Sequence, residues 1–100
     1  MKTIAIIGAG WSGIYSLKHV LEAGLAADLF EATNFVMGAW HYDNLPGGVI
    51  RNTHATSSIT YLHPSDFPFP DGTPEFPHHH IIYDHLRKYL KRFDLERHIH

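Results

Sequence analysis

Residues 2–13, Lys2-Thr3-Ile4-Ala5-Ile6-Ile7-Gly8-Ala9-Gly10-Trp11-Ser12-Gly13, run without a break from an apolar segment into a GxGxxG turn. The next residues keep a helical period: Ile14, Leu17 and Leu21 recur on one face, with Val20 beside them. Gly24 stands where a helix C-terminal cap belongs, and residues 25–30 restore an extended apolar run that ends in the acid Glu31. Each part has separate work. Gly8 permits the tight turn out of the first strand. Gly10 lacks a Cβ, so a pyrophosphate can come close to the backbone, and Gly13 lets the helix pack on the strand. The helix start offers N–H groups and about half a unit of positive charge to phosphate. Glu31 follows Gly13 by 18 residues, near the separation of about 20 at which a carboxylate accepts hydrogen bonds from ribose hydroxyls. Glycines alone are a weak signal; strand, helix and acid in register make this a dinucleotide-binding βαβ unit, a Rossmann-like α/β fold over residues 2–31. A carboxylate at that place repels a 2′-phosphate, so the expected ligand presents an unphosphorylated adenosine diphosphate moiety.

The rest of the composition narrows the possibilities. A chain of 100 residues suits one small domain at most. With 44% apolar and 18% charged residues it is globular rather than disordered. A formal charge of −2 and the lack of a basic stripe give no case for nucleic acid. The absence of cysteine excludes disulfides, thiolate catalysis and cysteine zinc sites. No segment approaches the about 20 apolar residues that cross a bilayer. The short run after Lys2 passes straight into the glycine turn, unlike a secretory leader, so a cytoplasmic chain is expected.

The second half carries fewer chemical signals. Ile82, Leu86, Tyr89, Leu90 and Phe93 share one helical face, which predicts a core-facing helix over about 78–93 with Arg87, Lys88, Lys91 and Arg92 in solvent. His78-His79-His80 cannot converge on one metal ion from a helix, where neighbours lie about 100° apart; a surface cluster at the helix start is expected. None of the ten histidines forms HExxH or an equivalent ligand spacing. Phe67-Pro68-Phe69-Pro70 reads as an irregular loop whose phenylalanines pack on the core, in preference to a polyproline ligand. Tyr42, Asp43 and Asp66 are acid–base candidates by residue type alone, and no catalytic residue is assigned.

Beyond the βαβ unit, several separated motifs succeed one another: Gly38-Ala39-Trp40 after the acid, Ser65-Asp66-Phe67-Pro68-Phe69-Pro70, Phe76-Pro77-His78, and Tyr83 to Leu90 with Phe93-Asp94-Leu95. In this order they resemble the N-terminal FAD-binding region of the flavin-containing monooxygenases and their Baeyer–Villiger relatives, over essentially the whole chain. Three positions depart from that pattern. Met37 stands where the first glycine of Gly-Gly-x-Trp is usual, Trp11 replaces a proline or small residue, and Asp94 replaces a helix-ending glycine. Asp is tolerable there because it visits the left-handed region more readily than most residues. The resemblance also implies an asparagine near the flavin. Alignment without a gap puts Thr56 at that place and a short gap puts Asn52 there; Asn52 is favoured for its amide, with Thr56, Ser57 and Ser58 as the alternative polar lining.

The resemblance implies an enzyme that holds FAD, is reduced by NADPH, and passes one atom of O₂ to a small-molecule substrate, a soft nucleophile such as an amine or sulfide, or a ketone. Gly8, Ala9, Gly10, Ser12 and Gly13 would then meet the pyrophosphate, Glu31 the ribose, and Gly38, Ala39 and Trp40 the length of the cofactor, with Trp11 and Ala32 also among the cofactor-binding residues. The organisation expected is one partial FAD-binding domain, with the βαβ core at 2–31, a cofactor-lining loop region at 32–77 and the helix at about 78–93. A single GxGxxG leaves the NADP-binding domain unaccounted for, so the chain is expected to be part of a larger enzyme, marginally stable alone because its first strand has an open edge. A parallel sheet of this kind is expected to be buried on both faces. Residues 98–100 read as the start of a further strand. Two other readings stay open: an FAD- or NAD-dependent reductase or dehydrogenase of another family, and a non-catalytic nucleotide-binding fragment.

Overall fold

The computed structural model describes residues 2–42 and 48–100; Asp43 lies outside the described residues. β1 (Thr3–Ile7) leads into helix α1 (Trp11–Glu22) and then β2 (Ala26–Phe30). The two strands pair in parallel, Thr3 beside Ala26 through Ile7 beside Phe30. Side chains alternate along β1, with Ile4 and Ile6 turned toward the core and Thr3, Ala5 and Ile7 exposed. α1 covers that inner face with Ile14 and Leu17, both fully buried against Leu29 of β2. The expectation that both faces of the sheet are buried is therefore met on one face only among the described residues, and Ile7 is 81% exposed on the other.

Both expected helix ends follow from backbone geometry. Gly24 has φ of +83°, and the Leu25 and Gly24 N–H groups donate back to the Val20 and Leu21 carbonyls, the paired bonds of a Schellman cap. Asp94 has φ of +53° and closes α3 (His79–Arg92) in the same way, through Leu95 N–H to Leu90 and Asp94 N–H to Lys91. The Arg97 guanidinium lies 3.2 Å from its carboxylate. After α3 the chain comes alongside β2: His100 N–H donates to the Leu29 carbonyl at 2.7 Å and Glu31 N–H to the His100 carbonyl at 2.8 Å. The backbone order is thus 99–100, β2, β1, with 99–100 parallel to β2.

α3 buries Ile82, Leu86, Tyr89 and Leu90, while Phe93 stays partly exposed at its end. One of its histidines departs from the sequence reading. His79 is buried rather than on the surface, and His85 is buried as well. His85 donates from Nε2 to the Phe67 carbonyl at 2.8 Å, with Phe69 stacked on its ring at 4.1 Å. The Phe-Pro-Phe-Pro loop is thereby packed on the core. Asp66, an acid–base candidate by type, has a structural partner instead: its carboxylate meets the Lys18 ammonium at 2.5 Å, and Glu22 meets the same ammonium. Lys18 is buried, so the helical pattern had hidden a charged residue on the covered side of α1. Its ammonium lies 4.8 Å from the centre of the Phe93 ring. The hydrogen bonds between these groups hold the Asp66 and Glu22 carboxyls below their usual range and push the Lys18 ammonium up.

Candidate cofactor site

The glycine turn has the form its spacing requires. Gly8 takes φ of +98°, a region open to glycine, and its N–H donates to the Phe30 carbonyl at 2.8 Å. At Gly13 an added Cβ would fall 1.9 Å from the Gly8 carbonyl oxygen, so helix and turn touch backbone to backbone. A Cβ added at Gly10 would meet nothing within 4 Å. Gly10 is also the N-cap of α1, which takes no side-chain cap and has no acid in its first turn. α2 (Ile59–Leu62) and α3, by contrast, are capped by the side chains of Ser58 and His78. The α1 start therefore combines positive helix polarity, N–H groups without a side-chain acceptor among the described residues, and open space where a Cβ would be.

Ala9 ties three segments together. Its N–H donates to Glu31 Oε1 at 2.8 Å, and its carbonyl accepts from Met37 N–H at 2.7 Å. Glu31, at the end of β2, accepts on Oε2 from the Thr33 N–H at 2.9 Å and the Thr33 hydroxyl at 2.8 Å. Burial pushes its carboxyl up, but the hydrogen bonds from Ala9, Thr33 and Ala32 outweigh burial and hold it below the usual carboxylate range. Thr33 carries no motif in the sequence, although a hydroxyl two residues after an acid is a recognisable turn signal. Its one hydroxyl proton has a second acceptor in the Phe35 carbonyl at 3.1 Å. Rotation toward Phe35 frees a lone pair of Glu31 for a sugar hydroxyl.

Met37 explains why glycine is usual at its place. It has φ of +80° with its side chain fully buried, an arrangement that costs a non-glycine residue about 1 kcal/mol of backbone strain, offset here by apolar burial. Gly38 comes next at φ of +53°, close enough that a Cβ would lie 3.3 Å from the Gly10 Cα. The turn Gly38–Trp40 is thus seated on the phosphate loop. Val49 N–H donates to the Ala39 carbonyl at 3.0 Å. Gly8 to Gly13, Glu31 and Gly38 to Trp40 are all brought together around Ala9, with Ala32 exposed beside Glu31.

The two candidates for the polar place near the flavin are separated by the fold. Thr56 lines a cavity of about 340 Å³ with Ala39, Trp40, His54 and Ser57. Asn52 is exposed in a turn, where its carbonyl accepts from His54 Nδ1 at 2.9 Å, and it does not line that cavity. Thr56, the ungapped alternative, lies on that cavity and Asn52 does not.

The floor of this region is bound to the start of α3. His79 N–H donates to the Thr53 carbonyl and Ala55 N–H to the Pro77 carbonyl, both at 2.9 Å. The Arg51 carbonyl accepts from His78 Nε2 at 2.7 Å and His79 Nε2 at 3.2 Å, while His78 Nδ1 accepts the His80 N–H to cap the helix. These partners assign His78 a proton on Nε2 and a lone pair on Nδ1. Burial lowers the affinity of His79 for a proton, with His78, His80 and His54 opposing it further; burial does the same to His85. A base whose folded-state pKa is depressed binds protons preferentially in the unfolded chain, so stability present above the ordinary value of 6.5 is lost as pH falls through and below it. The unfolding free energy read from denaturant titration should fall between about pH 7.5 and 5.5, by at most about 1.4 kcal/mol per pH unit per histidine, and His85→Gln should flatten that slope.

A family model described as flavin-binding monooxygenase-like matches residues 1–100. The chain belongs to the flavin-binding monooxygenase-like family. It is 34% identical to human flavin-containing monooxygenase 5 over 102 residues, covering 98% of the chain and 19% of that protein. It is 36% identical to human flavin-containing monooxygenase 2 over 106 residues, with the same coverage of 98% and 19%. The chain thus spans about a fifth of the length of these relatives. Among solved structures, an S-allyl-L-cysteine S-oxygenase from Allium sativum superposes with a TM-score of 0.86 at 20% identity, over 98% of this chain and 27% of the other, a likeness of fold. That likeness of fold supports the Rossmann-like reading of β1, α1 and β2. Among the described residues no helix is long and apolar enough to cross a membrane.

Proposed function

We propose that this chain forms the FAD-binding portion of a flavin-dependent, NADPH-using monooxygenase acting on a soft nucleophile, an amine or sulfide, or on a ketone. The observation that carries this reading is the uncapped start of α1 facing open space at Gly10, with Glu31 fixed beside it through Ala9. A diphosphate fits the first feature and a ribose the second. When bound, FAD would supply the redox chemistry, hydride acceptance and oxygen activation, that no side chain here can supply.

The residues of this chain do the holding. N–H groups at the start of α1 orient the diphosphate, and Glu31 fixes the adenosine end by accepting sugar hydroxyls. The turn Gly38–Trp40 lies along the cofactor, and Thr56 offers a hydroxyl to the adjoining cavity. The remainder of the enzyme, with its NADP-binding domain, supplies the nicotinamide and substrate contacts in this reading.

The test uses the full-length protein that carries these residues. It should purify with a flavin absorption band, and NADPH oxidation should yield an oxygenated sulfide, amine or ketone. Turnover of NADPH without an oxygenated product would replace this reading with a reductase, and flavin binding without turnover would replace it with a non-catalytic binding protein.

A further inference from the structure

Trp40 lines two spaces. One is the cavity of about 340 Å³ that Thr56 also lines, and the other, of about 200 Å³, is lined as well by His41, Tyr42, His79, His80 and Tyr83. A ring that borders open volume needs support from its packed side. That support comes from α1: the Trp11 ring meets Trp40 edge-on at 5.9 Å and 68°, and meets Tyr15 edge-on at 5.8 Å and 83°. Tyr15 in turn lies against Tyr89 at 5.0 Å, and Tyr89 is fully buried in α3. Four rings therefore form a continuous column from the core to the cavity wall. The Tyr89 hydroxyl has no hydrogen-bond partner among the described residues, and the Tyr15 hydroxyl faces the Trp11 side chain.

We propose that Trp11 is a positioning residue for the cofactor: placed at the first residue of the phosphate-binding helix, it sets the position of Trp40 and so couples the diphosphate end of the site to the cavity beyond it. The proposal rests on the flavoprotein reading above. Backbone bonds seat the 37–40 turn on Ala9, but they leave the rotation of the Trp40 indole free, and an edge-to-face aromatic contact is suited to fix it. A large ring beside the glycine turn, out of keeping with the small residue usual there, then has a use that its own contact with phosphate does not provide.

The experiment is a double-mutant cycle in the full-length protein, read by FAD affinity of the flavin-stripped protein and by the visible circular dichroism of bound FAD. Trp11→Ala should weaken FAD binding about tenfold and alter the dichroism, whereas Trp11→Phe, which keeps a ring edge, should stay within about threefold of wild type. In a Trp40→Ala background, Trp11→Ala should cost less than about twofold, because its effect runs through Trp40. Equal losses in both backgrounds, a Trp11→Phe variant as weak as Trp11→Ala, or an unchanged Trp11→Ala variant each overturn the proposal. Failure of the wild-type protein to bind FAD overturns the flavoprotein reading instead. Loss of stability alone, with FAD affinity and dichroism kept, assigns Trp11 a packing role and also overturns it.

Discussion

Gly13→Ala should destabilise the protein by about 3 kcal/mol or more, at the top of the range for overpacking, while Gly10→Ala should leave the fold intact and damage only ligand binding. The difference lies in what each new methyl group meets. At residue 13 the Cβ would stand 1.9 Å from the Gly8 carbonyl oxygen, and both partners are backbone, so neither can swing aside. Relief requires α1 to lift from β1, which opens the packing of Ile14 and Leu17 on Leu29. At residue 10 the Cβ meets nothing within 4 Å. The open space there has value only if a ligand's phosphate comes close to the backbone, so the methyl group acts on the complex alone. FAD affinity of Gly10→Ala should fall about tenfold to a hundredfold, with an unchanged denaturation midpoint in the flavin-free protein. Denaturant unfolding of the two variants, paired with flavin titration, checks both statements. A Gly10→Ala protein that binds FAD as well as wild type removes the case for phosphate at α1.

The contrast also shows which parts of the site were legible in the sequence. Gly8, Gly13 and Gly24 report local requirements, a positive φ or a backbone contact between near neighbours, and such requirements leave fixed spacings. Asp94 is legible for the same reason, since a left-handed helix end selects among few residue types. Residues 32–42 and 48–78 carry no period because long-range bonds hold them: Met37 to Ala9, Ala55 to Pro77, and Ile59 to Glu75. Lys18 looks like a solvent residue until Asp66 arrives from a distant loop to meet it. His79 and His85 are likewise buried only because the Arg51 and Phe67 carbonyls come to their ring nitrogens. Which of Asn52 and Thr56 lies on the cavity depends on the return of the chain past Ala39, and no spacing rule contains that path.

Glu31→Gln should weaken FAD binding about a hundredfold and, more tellingly, reduce discrimination against a 2′-phosphorylated ligand. One oxygen of this carboxylate receives Ala9 N–H and the other receives Thr33 N–H and its hydroxyl. An amide can accept at only one end, so its NH₂ group must face a donor at the other, either Ala9 or Thr33. The lost charge-assisted bonds, to the protein and to the sugar, are worth about 1.5–3 kcal/mol each, and two of them exceed the about 2.7 kcal/mol that a hundredfold represents. Water can reach this partly exposed side chain, so the fold itself should lose less than the complex does. The native carboxyl, held below its ordinary value of 4.5, should contribute fully above that pH and lose its effect as pH falls through and below it. Calorimetric titration of the flavin-free full-length protein with ADP and with its 2′-phosphorylated analogue separates charge from local disorder. The wild type should prefer ADP, and Glu31→Gln should narrow that preference because a neutral amide no longer repels the added phosphate. If the variant weakens both ligands equally, Glu31 serves only to brace the loop between Ala9 and Thr33, and the sugar is recognised elsewhere.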